Sequence, residues 1–358
     1  MLTADGCRRR VERLLAALKP AGALLLADPI HLRYFANAYT DPFSLGADFG
    51  GFLKIKPDGR TTLYHDHRAP KTYDAAFVDE RVSVKWYDGK TPGQGPRRLI
   101  LRDVVELAGG RIHDALTDPD AVKLHTVVGE LRRRKDPDEI ELLKRCMRVT
   151  EAGHEWAMVV AEPGMTELDV YSGIAAECTR VAGFPVVVYG DFAVSDGPAR
   201  RGGMATTREL KAGDMLILDF SVVIQGYRSD FTNTLVIGAE PTEAQQKLFD
   251  SCVSAMAAGE QELRAGRSCH FVYEAVCHGF GVGMNKLFPH HAGHGLGLSH
   301  PEPPYFVSQS EGTMVAGDVV TLEPGLYEEG VGGVRIEHNY LVTETGFERL
   351  SNHEIRLR

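Results

Sequence analysis

Two stretches of the chain read as buried strands that end by delivering a carboxylate. AGDMLILDF (212–220) carries Asp219 behind an apolar run, and AGDVVTLEP (316–324) repeats the frame with Glu323 at the same place. A carboxylate buried alone is costly or is held neutral, so a chain that arranges this twice has a cation to meet. GYRSD (226–230) and GVRIE (333–337) share the pattern G-x-R-x-acid and add Asp230 and Glu337. GMTELDVYSGI (164–174) and GRSCHFVYEAV (266–276) match as helix openings capped by Thr or Ser. The three pairs keep their order at an offset of roughly 100 residues, which predicts two similar halves packed about a pseudo-twofold axis. Corresponding strand ends then approach one another, and Asp219, Asp230, Glu323 and Glu337 converge.

Four carboxylates in one pocket of low dielectric repel, and two divalent ions would balance their charge. Oxygen-rich ligation suits manganese, and with one imidazole also cobalt, iron or zinc. His294, in FPHHAGHGLGLSH (288–300), lies between glycines that let the backbone pass close to the site. Carboxylates bridging two ions hold them about 3.5–4 Å apart, and the water between becomes a hydroxide nucleophile near neutral pH. The implied reaction is hydrolysis of an unreactive C–N bond.

The elements that must position these residues follow from periodicity and turn signals. Residues 7–19 predict an amphipathic helix, 22–28, 51–56, 61–67 and 82–88 strands, and 96–107 helical pieces. Asp136-Pro137 followed by Asp138 and Glu139 opens a long helix, and the boundary between two domains is placed just before it, giving 1–129 and 130–358. A length of 358 residues fits two domains, and 43% apolar with 25% charged residues describes a globular chain. A net charge of −9 argues against a general nucleic-acid surface. Six cysteines without C-x-x-C pairs fit a reducing cytoplasm. No stretch reads as a membrane span or signal peptide.

The five residues Asp219, Asp230 (in YRSDFTNT), His294 (in GHGLG), Glu323 (in LEPG) and Glu337 (in VRIEH) together resemble the pita-bread metallohydrolases: methionine aminopeptidase, aminopeptidase P, prolidase and creatinase. LLADPIHLRYFANAY (25–39) resembles the N-terminal domain signature of the prolidase, aminopeptidase P and creatinase branch. The resemblance implies an α+β chain, with a duplicated catalytic domain behind a smaller α/β domain, and a homodimer. It implies that Asp219 chelates one metal, that Asp230 and Glu337 bridge both, and that His294 and Glu323 hold the other. Glu323 is then the proton shuttle while a bridging hydroxide cleaves an Xaa-Pro amide bond in a small peptide. His290 falls where family members carry a substrate-contacting histidine.

Two positions depart from that pattern. The upstream histidine of the peptidases falls near Gly202 in SDGPARRGGMATT (195–207), where Arg200 and Arg201 stand beside a glycine. The histidine that follows G-H-G-x-G is His300, one position early in LSHPEPP, with Pro301 in its place. Arg200 or Arg201 is therefore expected to grip an anionic substrate group in two-point fashion. A creatinase-like hydrolase of a non-peptide C–N bond is one alternative, and an inactive binding protein on the same fold another. Arg335, at the repeat position of Arg228, reads either as a carboxylate-orienting partner or as a surface arginine. His291 and His338 read as packing residues, and His65 with His67 as a solvated strand end rather than a ligand pair. HEWAM (154–158) lacks the second histidine of a zinc helix, and GFGVG (279–283) reads as a helix-ending turn.

Overall fold

The computed structural model describes residues 1–44, 50–93, 95–107 and 109–358. They form two compact units, Met1–Arg132 and Arg133–Arg358.

In the first unit Thr3 caps α1 (Ala4–Leu18) by accepting the Gly6 N–H, so the helix starts three residues before its apolar periodicity does. β1 (Leu24–Leu26) leads into α2 (Pro29–Ala36), capped by Asp28 with Pro29 in its first turn. β2 (Phe52–Ile55), β3 (Thr61–Asp66) and β4 (Glu80–Val84) complete a sheet of order β1-β2-β3-β4, in which only β3 and β4 run parallel. Residues 96–107 resolve into a 3-10 turn, Arg97–Leu101, and α3 (Arg102–Leu107). α4 (Ala121–Arg133) was not anticipated from the sequence; it runs through residue 130 to the end of the unit. His65 does not end a solvated strand. It is buried with Nδ1 on the Asp66 carbonyl, while His67 Nδ1 accepts the Trp86 N–H, so the two imidazoles are turned to different partners.

The second unit opens with α5 (Pro137–Val160), where Asp136 and Glu139 form a capping box. α6 (Glu167–Ala182) follows, capped by Thr166, then β5 (Val187–Val194), β6 (Met215–Ile224), β7 (Tyr227–Arg228) and β8 (Phe231–Val236). The order then repeats. α7 (Glu243–Glu260) and α8 (Cys269–Gly279), the latter opening after Ser268, precede β9 (Gly293–Gly295), β10 (Glu302–Phe306), β11 (Val319–Leu322), β12 (Gly325–Glu328), β13 (Gly332–Arg335), β14 (His338–Val342) and β15 (Phe347–Arg349). β5-β6-β7 form one sheet with β8 also on β6; β10-β9-β11-β14-β15 form the other, beside the β12-β13 ribbon. Helices cover one face of each half: α5 and α6 pack on β6 and β5, α7 and α8 on β10 to β13. The second core joins Leu248, Cys252, Val272 and Val276 of the helices to Val320, Leu322, Val334 and Tyr340 of the strands.

A second packed group ties the C-terminal segment to the first half. His154 of α5 stacks between Phe220 and Phe231 at centroid distances of 4.5 and 5.2 Å, with His353 5.0 Å away. Both imidazoles donate Nε2–H to backbone carbonyls, His154 to Phe231 and His353 to Thr232, and among the described residues neither Nδ1 has a partner. A proton on that nitrogen would be a buried, unpaired donor. Burial therefore holds His154 well below its usual value and brings His353 down to about 4. Because the folded values are depressed, the unfolded chain takes up protons first as the pH falls below about 6.5, and the fold loses about 1.4 kcal/mol per pH unit for each histidine. Thermal midpoints should fall between pH 6.5 and 4.5, and His353→Phe should flatten the slope by about one proton; an unaltered slope would remove this account.

Candidate metal centre

Each half builds its carboxylate from the same turn. Gly213 and Gly317 have φ of +88° and +98°, a conformation that glycine adopts without strain. The side chains of Asp214 and Asp318 then accept the N–H three residues back, from Lys211 and Val315. Gly213 N–H and Asp214 C=O pair with Ile237, as Gly317 and Asp318 pair with Val342. Each turn is thus stitched to the far end of its own half, and five residues on the strand delivers Asp219 or Glu323. This shared local geometry is the physical content of the AGD repeat.

The halves are joined at the other two acids. Glu337 donates its N–H to the Thr232 carbonyl and accepts the Thr232 hydroxyl on Oε2 at 2.7 Å. The Asp230 N–H donates to Asn339 Oδ1, and Asn339 Nδ2 donates back to the Asp230 carbonyl. His294 sits on β9 with Nδ1 on the Gly295 carbonyl, which turns Nε2 toward Asp230 Oδ2 at 3.5 Å and Glu323 Oε1 at 3.4 Å. A Cβ on Gly293 would lie 2.1 Å from the Thr321 carbonyl oxygen, so only glycine lets β9 come this close.

Three overlapping groups of ligand atoms result, each within 4.8 Å: Asp219, Asp230 and Glu337; Asp230, His294 and His300; His291, His294 and Glu323. Among the described residues Glu337 Oε1 is buried without a partner. Burial and the charges of Asp230, Asp219 and Glu323 push its carboxyl well above the ordinary range. Burial raises Asp219 to about 7, although Arg335 Nη2 stands 2.7 Å from its Oδ2. Burial works to raise Glu323 too, but the His291 hydrogen bond and the charges of His294, His291 and His290 bring it down to about 2. An orphaned buried oxygen amid carboxylates and imidazoles is a donor set suited to divalent cations.

Asp219, Asp230, His291, His294, His300 and Glu323 line a cavity of about 630 Å³. His300, raised because its bond to Asp230 outweighs burial, stands with Nε2 2.7 Å from Asp230 Oδ2. His290 is half-buried, is brought down to about 4 by desolvation, and meets the Tyr327 hydroxyl at 3.1 Å. Arg335 is no surface residue. Its Nη1 donates to Tyr327 at 2.9 Å, and its Nη2 reaches Asp191 at 2.6 Å as well as Asp219. The two arginines of the mouth separate: Arg200 is paired at 2.9 Å with the buried carboxylate of Glu167, which also takes the Val194 and Thr206 N–H groups, whereas Arg201 lies over the Tyr327 ring, 5.9 Å from its centroid.

Three residues of the site were not singled out for it beforehand. His291, taken as packing, bonds Glu323 at 2.9 Å, and Tyr327 and Asp191 both reach Arg335. The one available signal was the repeat of adjacent histidines before G-H-G; nothing local marks Tyr327 or Asp191. His338 bonds Ser351 and stays outside the cavity lining, as strand alternation implies.

The profile of metallopeptidase family M24 matches residues 141–344. A protein of Staphylococcus aureus (strain USA300), described as an uncharacterized peptidase, is 30% identical over 93% of this chain and 95% of its own length. Among solved structures, an Xaa-Pro dipeptidase from Bacillus anthracis superposes with a TM-score of 0.79 at 25% identity, covering 98% of this chain and 99% of that one. The X-Pro aminopeptidase from Thermotoga maritima MSB8 gives a TM-score of 0.75 at 22% identity, covering 97% and 99%, a likeness of fold. With the carboxylates and imidazoles gathered at the seam of a duplicated, pita-bread catalytic part behind an N-terminal α/β part, the chain belongs to metallopeptidase family M24 and is a metal-dependent hydrolase.

Proposed function

We propose that this metallopeptidase is an Xaa-Pro peptidase of the prolidase or aminopeptidase P type, working with two divalent cations, manganese foremost. Residues 130–358 would be its catalytic part and 1–129 its creatinase/prolidase-like N-terminal domain. The observation that carries the reading is the convergence of Asp219, Asp230, His294, Glu323 and Glu337 from both halves around one unpaired buried oxygen. Asp219 would serve one cation, His294 and Glu323 the other, and Asp230 and Glu337 both. When bound, the cations would supply Lewis acidity, polarising the scissile carbonyl and acidifying a water.

The side chains divide the remaining work. Glu323, ionised and oriented by His291, would take a proton from the attacking water and return it to the departing proline nitrogen. His300 and His290 face the same cavity and would contact the substrate. Arg201 would grip a substrate carboxylate, because Arg200 is already committed to Glu167. Arg335 would orient Asp219. The six free thiols accord with a reducing cytoplasm, and among the described residues no helix is long and apolar enough to cross a membrane. A homodimer acting on small peptides completes the reading. A second reading, hydrolysis of a non-peptide C–N bond, is favoured by Gly202 standing where the peptidase pattern has a histidine.

A manganese-loaded screen over Xaa-Pro dipeptides, longer Xaa-Pro peptides and amidino acids should find turnover on the first two classes; turnover confined to amidino acids would select the second reading. Glu323→Gln should lower kcat by roughly 10² to 10⁴, and an intact kcat would refute its role. At about 100 times the dissociation constant, manganese should stabilise the fold by about 2.7 kcal/mol in thermal melts, and Asp219→Asn with Glu337→Gln should abolish that shift. Arg201→Ala should raise KM with little change in kcat, while Arg200→Ala should chiefly lower the melting temperature by releasing Glu167.

A further inference from the structure

The wall of the cavity holds a carboxylate that lies outside the three ligand groups. Asp191 sits on β5 directly opposite Asp219 on β6. Its side chain is 34% exposed and lines the cavity. Oδ2 takes the Arg335 bond at 2.6 Å, and among the described residues Oδ1 accepts no hydrogen bond. Arg335 stands between the two aspartates and holds Asp191 apart from the ligand set.

Gly202 explains why Asp191 has this place. With φ of +143°, its backbone lies against the carboxylate, and a Cβ built on it would be 2.2 Å from Asp191 Oδ2. A side chain at residue 202 would require the Asp191 carboxylate to turn away from its present position. The wall position therefore offers a carboxylate on β5, which without its proton accepts only, where an imidazole could donate as well as accept. The complementary substrate group is a cation that donates hydrogen bonds.

In a peptide with a free N-terminal residue before the scissile bond, the α-amine is two covalent bonds from the carbonyl carbon that is attacked. A substrate seated at Asp219 thus brings its ammonium within the reach of the neighbouring strand position. We propose that Asp191 is a specificity-determining residue that reads the free ammonium group of the substrate. Together with Arg201 it would make the cavity selective for small zwitterionic peptides. The proposal rests on the Xaa-Pro peptidase reading for its substrate but not for its chemistry.

The test compares the manganese-loaded full chain with Asp191→Asn and Asp191→Glu on Leu-Pro and on 4-methylpentanoyl-Pro, which lacks only the amine. Wild type should prefer Leu-Pro, and Asp191→Asn should lose about tenfold of that preference, the worth of one charge-assisted hydrogen bond, with Asp191→Glu restoring part of it. If Asp191 merely positioned Arg335, both substrates would slow in parallel and the preference would stand, which overturns the proposal. Calorimetric binding of leucine against 4-methylpentanoate separates the two ideas. Should wild type cleave no Xaa-Pro peptide, the peptidase reading falls, yet a leucine preference lost in Asp191→Asn would still uphold Asp191; a preference unchanged in the variant, or absent from wild type, would refute it.

Discussion

Mutual repulsion among buried carboxylates is the constraint on which the rest of the second unit depends. Asp219, Asp230, Glu323 and Glu337 are gathered in a space where charge is poorly screened, and the chain's own counter-charges are too few to offset them. The outcome differs at each acid. Glu323, bonded by His291, stays ionised, while Glu337, with one oxygen unpaired, and Asp219, short of full compensation by Arg335, are pushed toward neutrality. The arrangement is costly in isolation, and divalent cations held there would offset the repulsion and couple metal loading to the stability of the fold.

Such a centre can be assembled only if the two halves are locked in register. The AGD turns do this within each half, tying the start of one strand to the end of the last. Thr232 with Glu337 and Asp230 with Asn339 do it between halves, through bonds given in both directions. The backbone at the ligands is therefore held by hydrogen bonds independent of any ion, and the side chains begin from a prepared geometry. The glycines beside His294 serve the same end, since a Cβ at Gly293 would hold β9 away from β11.

Around this centre the cavity wall has its own chemistry. Arg335 links Asp191, Asp219 and Tyr327, and Tyr327 in turn meets His290, so one hydrogen-bonded network runs along the cavity from Asp219 to His290. Arg200 lines that space too, with its Nη2 paired to Glu167. Among the described residues, Asp191, Arg201 and the imidazoles of His290, His291 and His300 all line the same cavity, so acceptor, cation and ring nitrogens face one space.

The sequence by itself determined the four acids and His294 as candidate ligands, their order along the chain and the repeated turns that precede two of them. Those signals are local: a glycine with positive φ, a carboxylate folding back three residues, a Thr, Ser or Asp cap, and an apolar run ending in an acid. The α4 helix escaped because its start is marked only by a short Asp-Pro-Asp turn. Only the tertiary structure decided which arginine is spent on an internal partner, that His291 belongs to Glu323, and that the Gly202 backbone lies against Asp191. Each of these depends on which strands and loops become neighbours across long stretches of chain, and contacts at such separation leave no periodicity for a single sequence to show.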